Sequence, residues 1–378
     1  MRGSRCRWDQ LRGGVFCHNL TIPSNLHSNI QSMQVTHSPH CLVNEIFAPV
    51  ICPYLRCSNH RRPRDGFFVR FGSYRVRNKP SAIPRFRCRA CGRTFSRQTF
   101  RADYRLKLTQ ITGRLWWLLV SGVSLRQAGR ILQLSRSTVS DRLRRFGGHS
   151  RLLHARFIRS VNLCGSFHLD EIETFEHHRI HKPLTVAVLM HSHSFLLLSS
   201  PVGTLRTRAS KESWTKQRRT AFESSHGRRL NESNHVVSTC LKALDSITAH
   251  RSIELWTDEK PSYAALLKHT RQKRRIEHHT IRSTLPRTTS NPLFPINHME
   301  NMLRYGISRL IRQSFLASKK KEMLDAHLSL HRVWWNLCRL KTNRSRSTPA
   351  MACGVSSRQL APEELFAWRQ DMEFRQQI

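Results

Sequence analysis

Residues 164–176 read CGSFHLDEIETFE, a strand that ends in acids. Working outward from it, LTVAVLM (184–190) and FLLLSS (195–200) read as two more strands, with HHRIHKP and HSHS as the turns between them. NHVVSTCLKALDSITAH (234–250) has the period of an amphipathic helix, and SIELWTD (252–258) is a buried strand closing on Asp258. PSYAALLKH (261–269) is the next helix, and a basic, Thr-rich stretch follows it. INHMENMLRYGISRLIRQSF (296–315) and EMLDAHLSLHRVWWNLCRL (322–340) then read as two long helices. Residues 160–340 are thus expected to form one α/β domain.

Three early strands, a helix, a further strand and then helices is the ribonuclease-H-like order. In that frame the acids at strand ends become candidates for chemistry. Asp170 lies in FHLDEIE, Asp258 in ELWTDEK and Glu300 in INHMENMLR. Three carboxylates from separate segments can converge to hold two Mg²⁺ ions, for which hard oxygen donors are the right ligands. Glu171, Glu173 and Glu259 are neighbouring alternatives, of which Glu171 and Glu259 each follow an Asp directly, so strand alternation points them away from it. Asn297 rivals Glu300 for the third position, since an Asn carbonyl also ligates Mg²⁺. Glu300 adds a negative charge and Asn297 does not. The catalytic candidates are therefore Asp170, Asp258, Glu300 and Asn297.

Toward the N-terminus the cysteines take over. Residues 52–57 read CPYLRC and residues 88–96 read CRACGRTFS. Two cysteine pairs separated by about thirty residues match the spacing of a zinc ribbon. Cys52, Cys57, Cys88 and Cys91 would supply four thiolates and close a tetrahedral structural site, with no position left for water. Between the pairs, GFFVRFGSYRVRN (66–78) reads as one or two short strands in which Arg and aromatic residues interleave. Residues 46–100 form this expected ribbon.

Residues 101–150 carry helical period. DYRLKLTQITGRLWWLLVSG (103–122) is a first helix ending near Gly122. In SLRQAGRILQLSRSTVSDRLRRFG (124–147), Ser124 is an N-cap and Leu125, Ala128, Ile131 and Leu132 make one apolar face. Gln133-Leu134-Ser135 is a tight turn, and Arg136 to Phe146 a second helix with Val139 and Leu143 inward. Gly147-Gly148 would close the unit. This is a helix-turn-helix pattern. Arg136, Ser137, Thr138, Ser140, Arg142 and Arg145 are its expected DNA-facing residues, with Arg144 a phosphate contact.

The 378 residues carry 64 Lys and Arg against 24 Asp and Glu, a formal net charge of +40. Charge of this size, spread along the chain, calls for a polyanion and for salt-dependent binding. A membrane-spanning role is excluded on sequence, because no apolar run approaches ~18 residues. Residues 1–30 are polar and broken by Gly and Pro, so no secretory signal is expected, and a reducing cytoplasm suits the cysteine usage. Residues 1–45 are expected to be disordered or an upstream extension, with Met33 as an alternative start. Residues 341–378 read as a polar tail.

Taken together, CRACGRTFS, SLRQAGRILQLSRSTVSDRL, HLDEIE, LWTDEKPSYAALL and NPLFPINHMENMLRYGISRL followed by SKKK resemble an insertion-sequence transposase of the DDE type. The resemblance runs from about Cys52 to about Leu340. It implies a zinc ribbon and a helix-turn-helix ahead of a ribonuclease-H-like catalytic domain. It also implies Asp170 and Asp258 as the two aspartates, structural Zn²⁺ and two catalytic Mg²⁺. The implied partners are terminal inverted repeats and target DNA, bound by a homo-oligomer in the nucleoid of a bacterial cytoplasm. Counted back from Arg304, the family's last acid falls at Asn297 in some relatives, whereas an Asn-x-x-Glu pattern picks Glu300. The long spacing from Asp170 to Asp258 leaves room for a basic insertion around Arg206 to Arg229. Two other functions fit the same residues less fully: a non-enzymatic zinc-ribbon regulator, or inactive transposase remnant, and a different ribonuclease-H-like nuclease.

Overall fold

The computed structural model describes residues 47–76, 82–207, 213–248, 252–270, 275–311 and 316–372. The expected extension over residues 1–45 lies outside them. The described residues from Ala48 onward belong to one compact unit. It is a mixed α/β structure with a small three-stranded sheet and a larger mixed sheet.

The small sheet begins with one turn of helix, α1 (Ser58–Arg61), and continues as β1 (Phe68–Tyr74), β2 (Ile83–Cys88) and β3 (Thr94–Phe95), all antiparallel. Phe67, Phe86, Phe95 and Phe100 bury their rings behind it. So few residues cannot enclose a large core, and a cross-link must supply the rest of the stability.

The helices that follow differ from expectation in the length of the first and the end of the third. The first, α2 (Thr112–Val120), is shorter than the stretch 103–122 and is preceded by turns and a 3₁₀ segment. It stops near Gly122 as expected. Gly122 has φ +75°, and an added Cβ would sit 2.6 Å from the Tyr305 carbonyl oxygen, so only glycine fits. The second, α3 (Leu125–Ile131), is capped by Ser124 and Gln127 in a capping box. The third, α4 (Arg136–Ile158), is capped by Ser135 and runs straight through Gly147-Gly148. Those glycines do not close the unit. Gly147 lies against Ala326, whose backbone a Cβ would meet at 2.6 Å, so here glycine permits close helix packing and does not break the helix.

The large sheet is built from β4 (Gly165–Phe175), β5 (Pro183–His191), β6 (Leu196–Ser199), β7 (Val202–Thr204), β8 (Ile253–Asp258) and β9 (Ile276–Ile281). Its order is β6-β5-β4-β8-β9, with β7 paired to β5. β4, β5 and β6 are antiparallel neighbours, whereas β4-β8 and β8-β9 are parallel. β9 falls in the basic, Thr-rich stretch where no strand was expected. β5 is buried along its whole length, which explains its nearly continuous apolar run.

Helices cover both faces of the sheet. α5 (Ser213–His226) fills the expected basic insertion, and α6 (Ser233–Ile247) packs on β5, β6 and β7. α7 (Pro261–Leu267) follows β8 and packs on α6. On the other face lies α8 (Phe294–Gly306), against β4 and β5. The single helix expected over 296–315 breaks at Gly306 and gives way to a 3₁₀ turn; residues 312–315 are outside the described set. α9 (Lys321–Leu337) packs along α4 and reaches β6.

The C-terminal segment is no loose tail as far as residue 372. It forms α10 (Pro349–Ala352) and α11 (Pro362–Ala367), and buries Leu365, Phe366 and Trp368. Phe366 lies 5.4 Å from the ring of Trp116 and 6.2 Å from that of Phe146, so the last helix completes the core of α2 and α4. The apolar residues of α2 and α4 and those on one face of the sheet form a single continuous core. No break in packing appears near residue 150. No helix among the described residues is long and apolar enough to cross a membrane.

Candidate functional site

The four cysteines converge. Their sulfurs all lie within 4.8 Å of one another, the only such grouping of His, Cys, Asp or Glu atoms among the described residues. Cys52 and Cys91 are 3.8 Å apart and Cys57 and Cys88 are 3.7 Å apart. A tetrahedral ion with Zn–S bonds of about 2.3 Å has S···S edges of about 3.8 Å. The donor set and its spacing therefore fit a metal such as zinc. Asn59, at the α1 turn, donates its amide to the Cys88 sulfur at 3.7 Å. Burial pushes the thiols of Cys52 and Cys57 up. In Cys88 burial is outweighed by the backbone N–H groups of Cys91 and Ala90 and by Asn59, which bring it down to about 7. That donor, outside the cysteine pattern, went unnoticed in the sequence.

The acids come together in a cavity of about 430 Å³ that Asp170, Asp258 and Glu300 all line. Asp170 sits in the middle of β4, not at its end. The parallel β4-β8 pairing ends with His168 level with Trp256, and Asp170 and Asp258 each lie two residues beyond that pair. Both then face the side covered by α8. Glu300, 4 % exposed, points in from that helix. Its Oε2 accepts from Arg304 Nη1 at 3.1 Å, and its carboxyl group also shares a hydrogen bond with that of Asp170. Burial pushes Asp170 up to about 8, aided by the neighbouring carboxylates of Glu300 and Asp258. Burial also raises Glu300, against the opposing pull of Arg304 and Arg287. Asp170, Asp258 and Glu300 thus share one cavity, though their oxygens are not drawn together as closely as the four sulfurs. Asn297 does not line the cavity.

Glu171 points to the other face, as alternation requires. There it accepts from Thr185 Oγ1 at 2.9 Å, Ser233 Oγ at 2.8 Å and Tyr263 OH at 3.2 Å, and pairs with Lys260. This knot fastens α6 and α7 to the back of the strand that carries Asp170. Arg179, Arg287 and Arg304 also line the acid cavity, and charge alone could not single them out among so many cations.

The helix-turn-helix residues divide. Arg136 and Ser137 are exposed. Thr138 is half-buried and its hydroxyl lies 2.8 Å from the Ser135 cap. Ser140 turns toward Met323 on α9. Arg142 is 4 % exposed and donates to the carbonyls of Leu108 and Lys107, so it is not available to DNA. Arg145 is half-buried and donates to the Tyr104 carbonyl. The outward stripe of α4 carries Ser137, Asp141 and Arg144. The reason is that α9 covers one flank of the helix and the segment before α2 covers another. Compared with known proteins, the chain matches no family model and no curated protein sequence.

Proposed function

We propose that the chain is a DNA transposase of the DDE type, built on a ribonuclease-H-like catalytic domain. The observation that carries the reading is the meeting of Asp170, Asp258 and Glu300 in one cavity of a chain with net charge +40. Antiparallel β6-β5-β4 continued by parallel β8 and β9 is the strand order that reading requires, and it supports it.

In this proposal Asp170, Asp258 and Glu300 hold two Mg²⁺ ions, and Glu300 is preferred to Asn297 because only Glu300 lines the cavity. Bound Mg²⁺ would supply Lewis-acid activation of a water or 3′-hydroxyl and charge stabilisation at the phosphodiester. The protein's own part is to hold the carboxylates on a rigid sheet and to fix Glu300 through Arg304. Arg179 and Arg287 draw the phosphate backbone to the cavity mouth. The ribbon, with Arg85 and Arg87 against the ring of Phe71, offers a basic aromatic face to DNA. Arg136, Ser137, Thr138 and Arg144 are the contacts left to the helix-turn-helix. The protein is expected to act on terminal repeats and target DNA as a homo-oligomer.

The test is cleavage of the element's flanking DNA by purified protein with Mg²⁺ or Mn²⁺. Asp170→Asn and Asp258→Asn should each abolish cleavage with DNA binding kept, and Glu300→Gln should inactivate where Asn297→Ala is mild. Retained cleavage in both aspartate variants would remove the proposal, and DNA binding without cleavage by the unmodified protein would favour a DNA-binding regulator.

A further inference from the structure

A second cavity, of about 800 Å³, lies on the opposite flank of α8. Glu300 and Arg304 face the acids, whereas His298, Met302 and Tyr305 line this other space. At 100° per residue the two sets occupy nearly opposite stripes of one helix. His331, Trp334 and Trp335 of α9 form the wall, with the His331 ring 5.1 Å from Trp334 and 6.1 Å from Trp335. Arg339, Lys341 and Arg344 line it too, and no carboxylate does. The Arg339 guanidinium lies 4.2 Å over the Trp335 ring.

Two details set this space apart from ordinary core packing. Trp334, half-buried, has an indole Nε1 without a hydrogen-bond partner, which is costly to leave unmade. His331 lies behind it, 1 % exposed, where burial pushes it down to about 3 and keeps the ring neutral. Tyr305, 77 % exposed, stands at the rim as an unused aromatic face. Flat aromatic walls under a cationic rim match a base and the phosphate attached to it.

We propose that this cavity binds one nucleotide unit, the base against Trp334 and Tyr305 and the phosphate at Arg339, Lys341 and Arg344. The nucleotide belongs to an unpaired stretch of a bound strand or is free in solution. The first source rests on the DNA reading above, and the second does not. The full-length protein is titrated with a short single strand carrying 2-aminopurine, and separately with deoxyadenosine monophosphate. Stacking on indole should quench the 2-aminopurine emission. Tyr305→Ala should weaken the quenched complex about fivefold or more. Lys341→Glu/Arg344→Glu should weaken it further than Lys242→Glu/Lys268→Glu, which makes the same charge change at exposed positions elsewhere. Far-ultraviolet circular dichroism of each variant shows that it is folded. Binding of the monophosphate with equal affinity assigns the cavity to a free nucleotide, and binding of the strand alone assigns it to DNA. If both cavity variants bind strand and monophosphate as the control pair does, the proposal fails. Duplex cleavage is measured on the same preparations, so its absence beside intact base stacking counts against the transposase reading alone.

Discussion

Arg142 is a cation committed to holding the chain together. Its guanidinium serves the carbonyls of Leu108 and Lys107 at the irregular entry to α2, and burial lowers its pKa. Removing it strands those acceptors in the interior. Arg142→Ala is therefore expected to cost about 1.5–3 kcal/mol in denaturant unfolding. Arg144 is the opposite case, 59 % exposed and paired only with Asp141. Arg144→Ala should change stability by less than about 0.5 kcal/mol, yet weaken DNA binding and lower its salt slope by about 1. At the cysteines, elemental analysis should find one zinc per chain, with the metal lost from Cys88→Ser and Cys91→Ser. Unchanged zinc in both variants would exclude the site. These residues also mark how far local sequence reached. The cysteine pairs and the opposite facing of Asp170 and Glu171 were legible because the two-residue period of a strand and the reach of a tight turn are local rules. The burial of Arg142 and Ser140 was not, because Ser140 meets Met323, 183 residues away.

Elements show the same division. Strands β4, β5, β6 and β8 and helices α3, α6, α7 and α9 could be read from apolar period and caps. β9 could not, since its burial is only partial and its sequence, IEHHTI, has no apolar run. Glycine was the ambiguous signal: Gly306 is the last residue of α8 and packs on His331, whereas Gly147 sits inside α4 and lets it approach α9. The difference lies in the partner surface and not in the glycine's neighbours. Gly147→Leu should force the two helices apart and destabilise the fold by about 1–3 kcal/mol. Gly148→Leu should do less, since the only atom near an added Cβ is the far end of Arg151 at 3.9 Å. Thermal unfolding of the two variants side by side gives the comparison.

At the scale of the whole molecule, buried histidines fasten distant segments together. His149 reaches the carbonyl of Leu365, His154 that of Leu198 and His327 that of Leu119. Burial pushes His149 and His327 down to about 4, and His154 well below its usual value. The unfolded chain binds these protons near pH 6.5 and the folded chain does not, so stability rises with pH across that interval. Each such histidine should withdraw about 1.4 kcal/mol per pH unit between about pH 6.5 and 4, read as a falling unfolding temperature on acidification. The placement of Phe366 and Trp368 against Trp116 and His149 carries a consequence for biosynthesis. The four cysteines and the strands between them meet within about forty residues of chain and can close early in synthesis. The interior around α2 and α4 must wait until the chain has been made through Trp368, so for most of translation its apolar side chains stand open. The cysteine-rich sheet is thus expected to close before the core that Trp368 completes.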